Sequence, residues 1–348
     1  MKKTNFLIDV EENFNFSLDN YKKHFQSNHW LFNNNKKKKL FTKENLHNFR
    51  SNGLSDGMDD KFYTKEQAKK FFSELLNTCG KKFLYNLLLK KNIGKSNQSL
   101  KKSHYYYTAH ELFHIKFIHE IKNFVKINKK DIICEIGPAY GSMISKLIKV
   151  YDSKVILIDL PEANFLSHYY LKKIFPKKKF FISSNIKNKS ITKKDILKND
   201  IIIICPWDKL PKISIKLFIN ARSMMEMNYE TIYKYFNLIQ NFISKNGYFL
   251  CINRYYKDTV GYPIEMSKYP FDDRWKVLIS KVSWKQDHIH FLLTQRVNRL
   301  HNSIRSELNT IKKLSEKVRK KDKFLIRRIL PNFIYIIYKK PKFFLFSK

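Results

Sequence analysis

The middle of the chain alternates short apolar runs with amphipathic segments. A β-branched run at 131–136 leads through a glycine-containing turn into 142–149, where apolar residues recur at helical spacing. A second apolar run, 154–158, follows it along the chain. A strand, a tight turn, a helix and another strand in this order predict a parallel βαβ unit.

Further strand and helix candidates follow this unit. They are strands at 179–183, 201–205, 215–219 and 248–254, a helix at about 229–244, and two strands at 275–284 and 288–297. The strands at 275–284 and 288–297 predict an antiparallel hairpin. Both 179–183 and 201–205 are candidates for the third strand of the sheet. We therefore predict an α/β fold with a Rossmann-like, mostly parallel sheet that ends in an antiparallel hairpin.

Three regions of the chain differ in character. Residues 1–103 contain apolar positions at helical spacing but no chemical motif, which predicts a helical N-terminal accessory region. Residues 104–297 carry the predicted sheet, and 298–348 begin as a charged helix that reaches about residue 321. The turn-rich segment 51–60 is predicted to be a surface loop, with a lid as the alternative.

The tail 322–348 combines bulky apolar side chains with Lys and Arg. Two prolines and the basic residues interrupt it, so it lacks the ~20 uninterrupted apolar residues of a bilayer span. This composition suits an interfacial anchor on an anionic membrane surface. Packing on the protein's own body or on a second subunit is an equally open alternative, and an oligomer is therefore an open expectation.

Composition and charge narrow the class of protein. A hydrophobic content of 43% with 29 Phe and 20 Tyr predicts a folded chain. The net charge of +38 would suit nucleic acid or an anionic membrane, but lysine is spread along the whole chain, so no specific nucleic-acid partner is expected. Four widely spaced cysteines and the polar first residues favour a cytoplasmic location, or a peripheral one on the inner face of the membrane.

One segment matches a metalloprotease pattern. His110-Glu-Leu-Phe-His114 has the H-E-x-x-H spacing that puts two imidazoles on one helix face in zinc peptidases. Glu120 and Glu135 are candidate third ligands, but Glu135 belongs to the predicted strand and no G-x-x-H extension follows His114. Apolar neighbours favour packing of these histidines beside the core, and no metal is expected.

The turn after the first strand carries the strongest chemical signal. Gly137 and Gly141 are two of only eight glycines, and glycine permits both a positive φ and a close approach of ligand to backbone. Asp159 ends the next strand 22 residues after Gly137, near the position where this fold hydrogen-bonds a ribose, about 20 residues on. Position 139 is Ala, so the turn is not the dinucleotide fingerprint G-x-G-x-x-G.

Trp207 and Asp208 follow the strand candidate 201–205. An aromatic side chain and a carboxylate at a strand end would supply a wall and a hydrogen bond for an adenine. Both are therefore candidates for cofactor binding.

From about 105 to 297 the sequence resembles the sugar O-methyltransferases, a bacterial family of class I methyltransferases tied to polysaccharide gene sets. The matching segments are Glu135-Ile-Gly-Pro-Ala-Tyr-Gly141, Ile158-Asp-Leu-Pro-Glu162, Asn220-Ala-Arg-Ser-Met-Met-Glu-Met227 and Asn253-Arg254. Pro138-Ala139 departs from the family, which usually has small glycine-like residues there. The resemblance implies S-adenosylmethionine as cofactor, and implies that it is bound by Glu135, Gly137, Ala139, Tyr140, Gly141, Asp159, Leu160 and Asn220.

For the reaction, we expect methyl transfer to a sugar hydroxyl of a surface glycan or its nucleotide- or lipid-linked precursor. An alcohol is a weak nucleophile at neutral pH, so a positioned base should take its proton. Glu226 is the first candidate, with an N-terminal helix acid as its alternative reading. Asn253 and Arg254 would orient the acceptor or a phosphate on it, and His288 and His290 are reserve bases.

Three other classes of protein remain as alternatives from the sequence. An RNA or DNA methyltransferase would suit the charge, but the fourth strand ends in Asn220-Ala-Arg-Ser rather than in an Asn-Pro-Pro-Tyr type of motif. A membrane-surface scaffold would need no cofactor. A zinc peptidase would need a third ligand.

Overall fold

The protein was analysed as a computed structural model, which describes residues 2–22, 27–55, 63–183, 190–258 and 260–329. Within these residues the helices are α1 (Lys2–Asp19), α2 (Asn28–Lys37), α3 (Lys65–Cys79), α4 (Lys81–Leu87), α5 (Ala109–Ile121), α6 (Ser142–Tyr151), α7 (Pro161–Ile174), α8 (Lys193–Lys198), α9 (Tyr229–Phe242) and α10 (Ser303–Ile329). The strands are β1 (Leu100–Lys102), β2 (Tyr105–Tyr107), β3 (Ile132–Ile136), β4 (Lys154–Ile158), β5 (Phe180–Ile182), β6 (Ile201–Ile204), β7 (Ile215–Ala221), β8 (Ile243–Arg254), β9 (Tyr256–Asp258), β10 (Pro263–Glu265), β11 (Trp275–Ser283) and β12 (Gln286–Arg296).

Eight strands form the central sheet, in the order β11-β12-β8-β7-β3-β4-β6-β5. The six strands from β8 to β5 pair in parallel, whereas β12 pairs antiparallel with β8 and with β11. The predicted Rossmann-like α/β sheet with a terminal antiparallel hairpin is therefore confirmed. Both third-strand candidates belong to it: β6 pairs with β4, and β5 adds an outer edge through the register of Phe180 with Ile201.

The sheet is buried on both faces, which explains why its parallel strands read as continuous apolar runs. Every residue of β3 and of β6 is buried. Alternate residues enter two cores, because successive side chains of a strand point to opposite faces. One core contains α5, α6 and α7, and the other contains α9 and the first half of α10.

The N-terminal helices pack on helices of the first core rather than on the sheet itself. Phe14 of α1 lies 4.6 Å from Phe165 of α7, and Phe71 of α3 lies 5.6 Å from Phe113 of α5, both measured between ring centroids. Capping boxes begin α3 at Thr64 and α5 at Thr108. The short hairpin β1–β2 precedes α5 and was not among the predicted elements.

The predicted charged helix after the sheet is α10, whose Ile304 and Ile311 are fully buried against the second core. No helix in the described part of the chain is long and apolar enough to cross a bilayer. Residues 330–348 lie outside the described residues. The membrane-surface anchor proposed for 322–348 therefore stays a prediction.

Candidate functional site

A cavity of about 430 Å³ lies at the carboxyl ends of the parallel strands, where α/β sheets usually bind ligands. Its volume falls within the ~300–1,000 Å³ typical of small-molecule sites. Among the described residues, the following line it: Ser27, His29, Trp30, Asn33, Asn34, Phe41, Leu54, Ser55, His110, His114, Glu135, Gly137, Pro138, Ala139, Tyr140, Asp159, Leu160, Glu162, Ala163, Leu166, Pro206, Ala221, Arg222, Ser223, Met225, Glu226, Met227, Thr231, Tyr235, Arg254 and Lys257.

The turn between β3 and α6 forms one wall of the cavity. Gly137 has a φ of +72°, and a Cβ added there would lie 2.3 Å from the Cβ of Ser223, so only glycine fits. Ala139 also takes a positive φ, of 53°. Its N–H donates to Oδ2 of Asp159 over 2.9 Å, which fastens the turn to the end of β4. Gly141 caps α6 with a φ of +82° but does not itself line the cavity.

Three carboxyl groups lie beside this turn. Glu135 is 3% exposed, and its Oε2 has no hydrogen-bond partner among the described residues. Burial, assisted by the nearby Asp159, raises the pKa of Glu135 to about 8. Burial likewise raises the pKa of Asp159 and of Glu162 to about 7. Ionisation of these buried carboxyl groups therefore costs free energy, and a bound cation would lower that cost.

Asn220, at the end of β7, was expected to touch the cofactor but is fully buried and does not line the cavity. Its Nδ2 donates to the carbonyl of Ile136 over 2.9 Å and to Oγ of Ser223 over 2.5 Å. Its Oδ1 accepts from the N–H of Met224 and from Nδ2 of Asn253. An amide offers two donors and two acceptor sites, so nothing is left for a ligand, and Asn220 joins β3, β7 and β8.

Asn253, expected to orient the acceptor, has a similar internal position. It is fully buried, and its Oδ1 accepts from the N–H of Met225 over 3.2 Å. Asn220 and Asn253 together therefore hold the first two residues of the short 3₁₀ turn Met224–Glu226. These amides position Glu226 rather than contacting a ligand themselves.

Glu226 lines the cavity, as does Arg254 at the end of β8. The Oε1 atom of Glu226 accepts from Nζ of Lys257, a residue of β9 that was not predicted as part of the site. Both side chains are largely buried. Arg222 also lines the cavity. It was not predicted as a site residue, although it lies within Asn220–Met227, one of the segments that carry the family resemblance.

His110 and His114 lie on the cavity wall with ring centroids 4.3 Å apart. Nδ1 of His114 is 3.1 Å from Oγ of Ser142, and burial lowers the pKa of His114 well below its ordinary value. No group of three metal-binding side chains is found in the described residues, and Glu120, a candidate third ligand, pairs with lysines instead. These two histidines therefore line the cavity as well as packing beside the core.

The roof of the cavity comes from the N-terminal region. His29, Trp30, Asn33 and Asn34 on α2 line it, and the side chain of Asn34 hydrogen-bonds Glu162. The turn-rich segment predicted to be a surface loop also contributes, because Leu54 and Ser55 are each 3% exposed and face the cavity. The rest of that segment, 56–60, lies outside the described residues. No motif in the sequence indicates this roof.

Four further predicted residues lie away from the cavity lining. The ring of Trp207 packs on Tyr21, with centroids 5.2 Å apart. Asp208 uses its Oδ2 to accept from the N–H of Cys205 over 2.6 Å, which closes the turn after β6. His288 lies on β12, 39% exposed, beside Asp287. The reserve base His290 is buried between Tyr255 and Ser280, where burial lowers its pKa to about 4.

Comparison with known proteins gives matches of low identity among solved structures. Neither a scan against family models nor a search of curated proteins gave a match. Among solved structures, the chain is similar to the geranyl diphosphate C-methyltransferase of Streptomyces coelicolor, solved with Mg²⁺, geranyl-S-thiolodiphosphate and S-adenosyl-L-homocysteine: 11% identity over 55% of this chain and 78% of that chain, TM-score 0.38.

The mitomycin 7-O-methyltransferase MmcR matches at 10% identity over 54% of this chain and 57% of that one, TM-score 0.35. The pyocyanin biosynthetic protein PhzM matches at 9% identity over 53% and 54%, TM-score 0.32. At these identities and scores nothing about cofactor or acceptor carries over to this chain.

Proposed function

We propose that this protein transfers a methyl group from S-adenosylmethionine to a sugar hydroxyl. The observation that carries the proposal is that the glycine turn, Asp159 and Glu226 share one cavity at the carboxyl edge of the sheet. The sugar acceptor is supported by the resemblance of the segments around Asp159 and Glu226 to sugar O-methyltransferases.

The acidic side of the cavity suits this cofactor. S-adenosylmethionine carries a sulfonium, an ammonium group and a ribose with two hydroxyls, and each of these favours carboxylate neighbours. Glu135 offers a buried oxygen with no hydrogen-bond partner in the described part of the chain, and Asp159 keeps acceptor capacity beyond its bonds to the N–H groups of Ala139 and Leu160. Glu135 and Asp159 would therefore hold the cofactor, with the Gly137 turn against it.

The bound cofactor supplies a methyl group that the sulfonium has already activated. The remaining tasks of the protein are to orient the hydroxyl and to remove its proton. Glu226 is held for this by Asn220 and Asn253 through the backbone of the preceding turn, and by Lys257 through one carboxylate oxygen. These three residues restrict the position of Glu226, and a catalytic base must be placed accurately to act.

The roof formed by α2 would exclude water from the transfer. Trp30 presents a large apolar surface, whereas Asn33 and Asn34 present amides that hydrogen-bond sugar or ribose hydroxyls. A covered site strengthens the electrostatic interactions within it, because the effective dielectric constant falls.

The test uses the full chain. Isothermal titration with S-adenosylmethionine should give one site per chain, and labelled cofactor should transfer its methyl to surface-glycan precursors but not to RNA. Absence of cofactor binding would exclude methyl transfer altogether. Binding with transfer only to RNA would replace the sugar by nucleic acid.

A further inference from the structure

Charge is separated along the carboxyl edge of the sheet. Glu135, Asp159 and Glu162 belong to the β3–β4 side of the cavity. Arg222 directly follows β7, and Arg254 is the last residue of β8. In the sheet, β7 and β8 lie on the opposite side of β3 from β4. With Lys257 on β9, the described lining residues of that side include three permanent or near-permanent cations and one carboxylate, Glu226.

Arg222 has an unusual backbone. Its φ is +72°, a region that few residues other than glycine, Asn and Asp adopt. Its N–H donates to the carbonyl of Ile252 over 2.7 Å, which holds the residue in place after β7. An arginine with a positive φ costs conformational free energy that a glycine at the same position would avoid. Its presence in a ligand cavity is therefore better explained by function than by folding.

Within the described residues, the guanidinium of Arg222 has no close counter-ion. No carboxylate of the described residues lies within 4 Å of it, because Glu226 pairs with Lys257 instead. The nearest charged and titratable neighbours include Tyr63, Arg254 and Glu226, and the positive charge of Arg222 also reaches His114 and Lys257. A planar guanidinium in a partly buried position is the group best suited to bind a phosphate or carboxylate through two parallel hydrogen bonds.

We propose that the acceptor sugar carries an anionic group, a phosphate ester or a carboxylate, that binds to Arg222. The inference rests on the proposed function, since it assigns the cofactor to the acidic side and the acceptor to the basic side. Arg254 lies next to Arg222 and would complete the anion site. The anion then anchors the sugar so that its hydroxyl faces Glu226.

The first experiment titrates protein saturated with S-adenosylhomocysteine. The probes are UDP-glucose, glucose 1-phosphate, glucuronate and the neutral methyl glucoside. At least one anionic probe should bind roughly 10- to 100-fold more tightly than the neutral one, the gain expected of charge-assisted hydrogen bonds. Preference for the phosphates or for glucuronate identifies the source of the anion. Equal affinity for all four probes would overturn the proposal.

A matched pair of variants separates the site from the general basicity of the chain. Arg222→Asn removes the guanidinium but keeps a residue that tolerates positive φ. Lys285→Asn removes one charge at a position with a φ of +58° in the β11–β12 turn, outside the cavity lining. Arg222→Asn should lose the preference for the anionic probe, whereas Lys285→Asn should retain it.

Equal losses in the two variants would indicate a non-specific charge effect and refute the site. Both variants should bind S-adenosylhomocysteine as the wild type does. Failure of the wild type to bind S-adenosylhomocysteine would refute the proposed function. Normal binding of that compound without any preference for anionic probes would refute the anion site alone.

Discussion

The two sides of the cavity are built in opposite ways. At the β3–β4 side, Glu135 keeps an oxygen without a hydrogen-bond partner, and Glu135, Asp159 and Glu162 have raised pKa values. At the β7–β8 side, Asn220 and Asn253 have interlocking hydrogen bonds within the protein. The first side has interactions left to make with a ligand, whereas the two amides of the second side use theirs to fix the position of Glu226.

This difference separates binding from catalysis. A binding side can retain unsatisfied groups, because the ligand provides the compensating interactions. A catalytic group must already be in place when the substrate arrives, since misplacement by about 1 Å costs roughly 100-fold in rate. Substitutions on the first side should therefore weaken cofactor affinity, and substitutions of Glu226 or of the amides that place it should slow turnover.

The largest effect is expected from Gly137→Ala. The new Cβ would lie 2.1 Å from Oγ and 2.3 Å from Cβ of Ser223, at a φ of +72°. The turn must move, so cofactor binding measured by titration should be abolished, with a fall in unfolding free energy of about 2–4 kcal/mol from clash and strain.

Gly80→Ala is the matched control for this prediction. Gly80 has a similar φ, +79°, but an added Cβ would have no atom within 4 Å, and the residue lies between α3 and α4. Its ψ of 152° is outside the left-handed helical region, so alanine there should lose about 1–3 kcal/mol of stability through backbone strain and keep its affinity for cofactor. Cofactor binding by Gly137→Ala at wild-type affinity would contradict the role of the turn.

The second effect concerns the catalytic side. Glu226→Gln keeps the shape of the side chain but removes its charge and most of its basicity, so turnover should fall by about 10²- to 10⁴-fold. Cofactor affinity should stay near that of the wild type, because Glu226 belongs to the opposite side. Single-turnover transfer with labelled cofactor measures the chemical step, and an unchanged rate would remove Glu226 from the mechanism.

A matched control for Glu226→Gln is Glu265→Gln. Glu265 is an acid of β10, the strand that pairs with β9 on which Lys257 lies, and its carboxylate pairs with Lys268 outside the cavity lining. Its replacement should leave turnover within about twofold, since single exposed ion pairs contribute little. A comparable loss in both variants would indicate disturbance of the β9–β10 hairpin instead of loss of a base.

A smaller effect is expected from Asp159→Asn. The N–H groups of Ala139 and Leu160 donate to different oxygens of Asp159, so an amide, which has only one oxygen, cannot keep both bonds in this geometry, and the charge that faces the cofactor is lost. Cofactor affinity should fall about 10- to 100-fold, as for loss of a charged hydrogen-bond partner. Asp152→Asn is the control, because that exposed acid between α6 and β4 pairs only with Lys129 and Lys178 among the described residues.

The acidic side was largely predictable from sequence because its parts are local. Gly137 and Asp159 belong to one βαβ unit, whose strand ends are adjacent in any such fold. Arg222 and Lys257 were not predicted because their meeting depends on the order β8-β7-β3 across the sheet and on the β9–β10 hairpin. The roof of α2 was not predicted either, since it depends on packing of distant helices and leaves no periodic signal at the site.

Burial was the other quantity that the sequence did not reveal. Asn220 and Asn253 stand at strand ends, where polar residues usually contact ligands, and only their hydrogen-bond partners identify them as internal. Trp207 likewise follows a strand end but packs against Tyr21, a residue far away in sequence. Position at a strand end therefore predicts the neighbourhood of a site more reliably than contact with its ligand.

The smallest predicted effect is on pH dependence, and it distinguishes the two sides without changing the fold. The folded pKa values of Glu135, about 8, and Asp159, about 7, exceed their ordinary values of 4.5 and 3.8. The native state therefore retains protons that the unfolded chain releases, so the contribution of these two carboxyls to the unfolding free energy of the cofactor-free protein should fall as pH rises from about 4.5 to 8. A bound cation favours the ionised carboxylates, so cofactor affinity should rise about tenfold between pH 6 and 8. Titration across this range should show a weaker slope in Glu135→Gln, and an affinity independent of pH would mean that no carboxylate on this side ionises on binding.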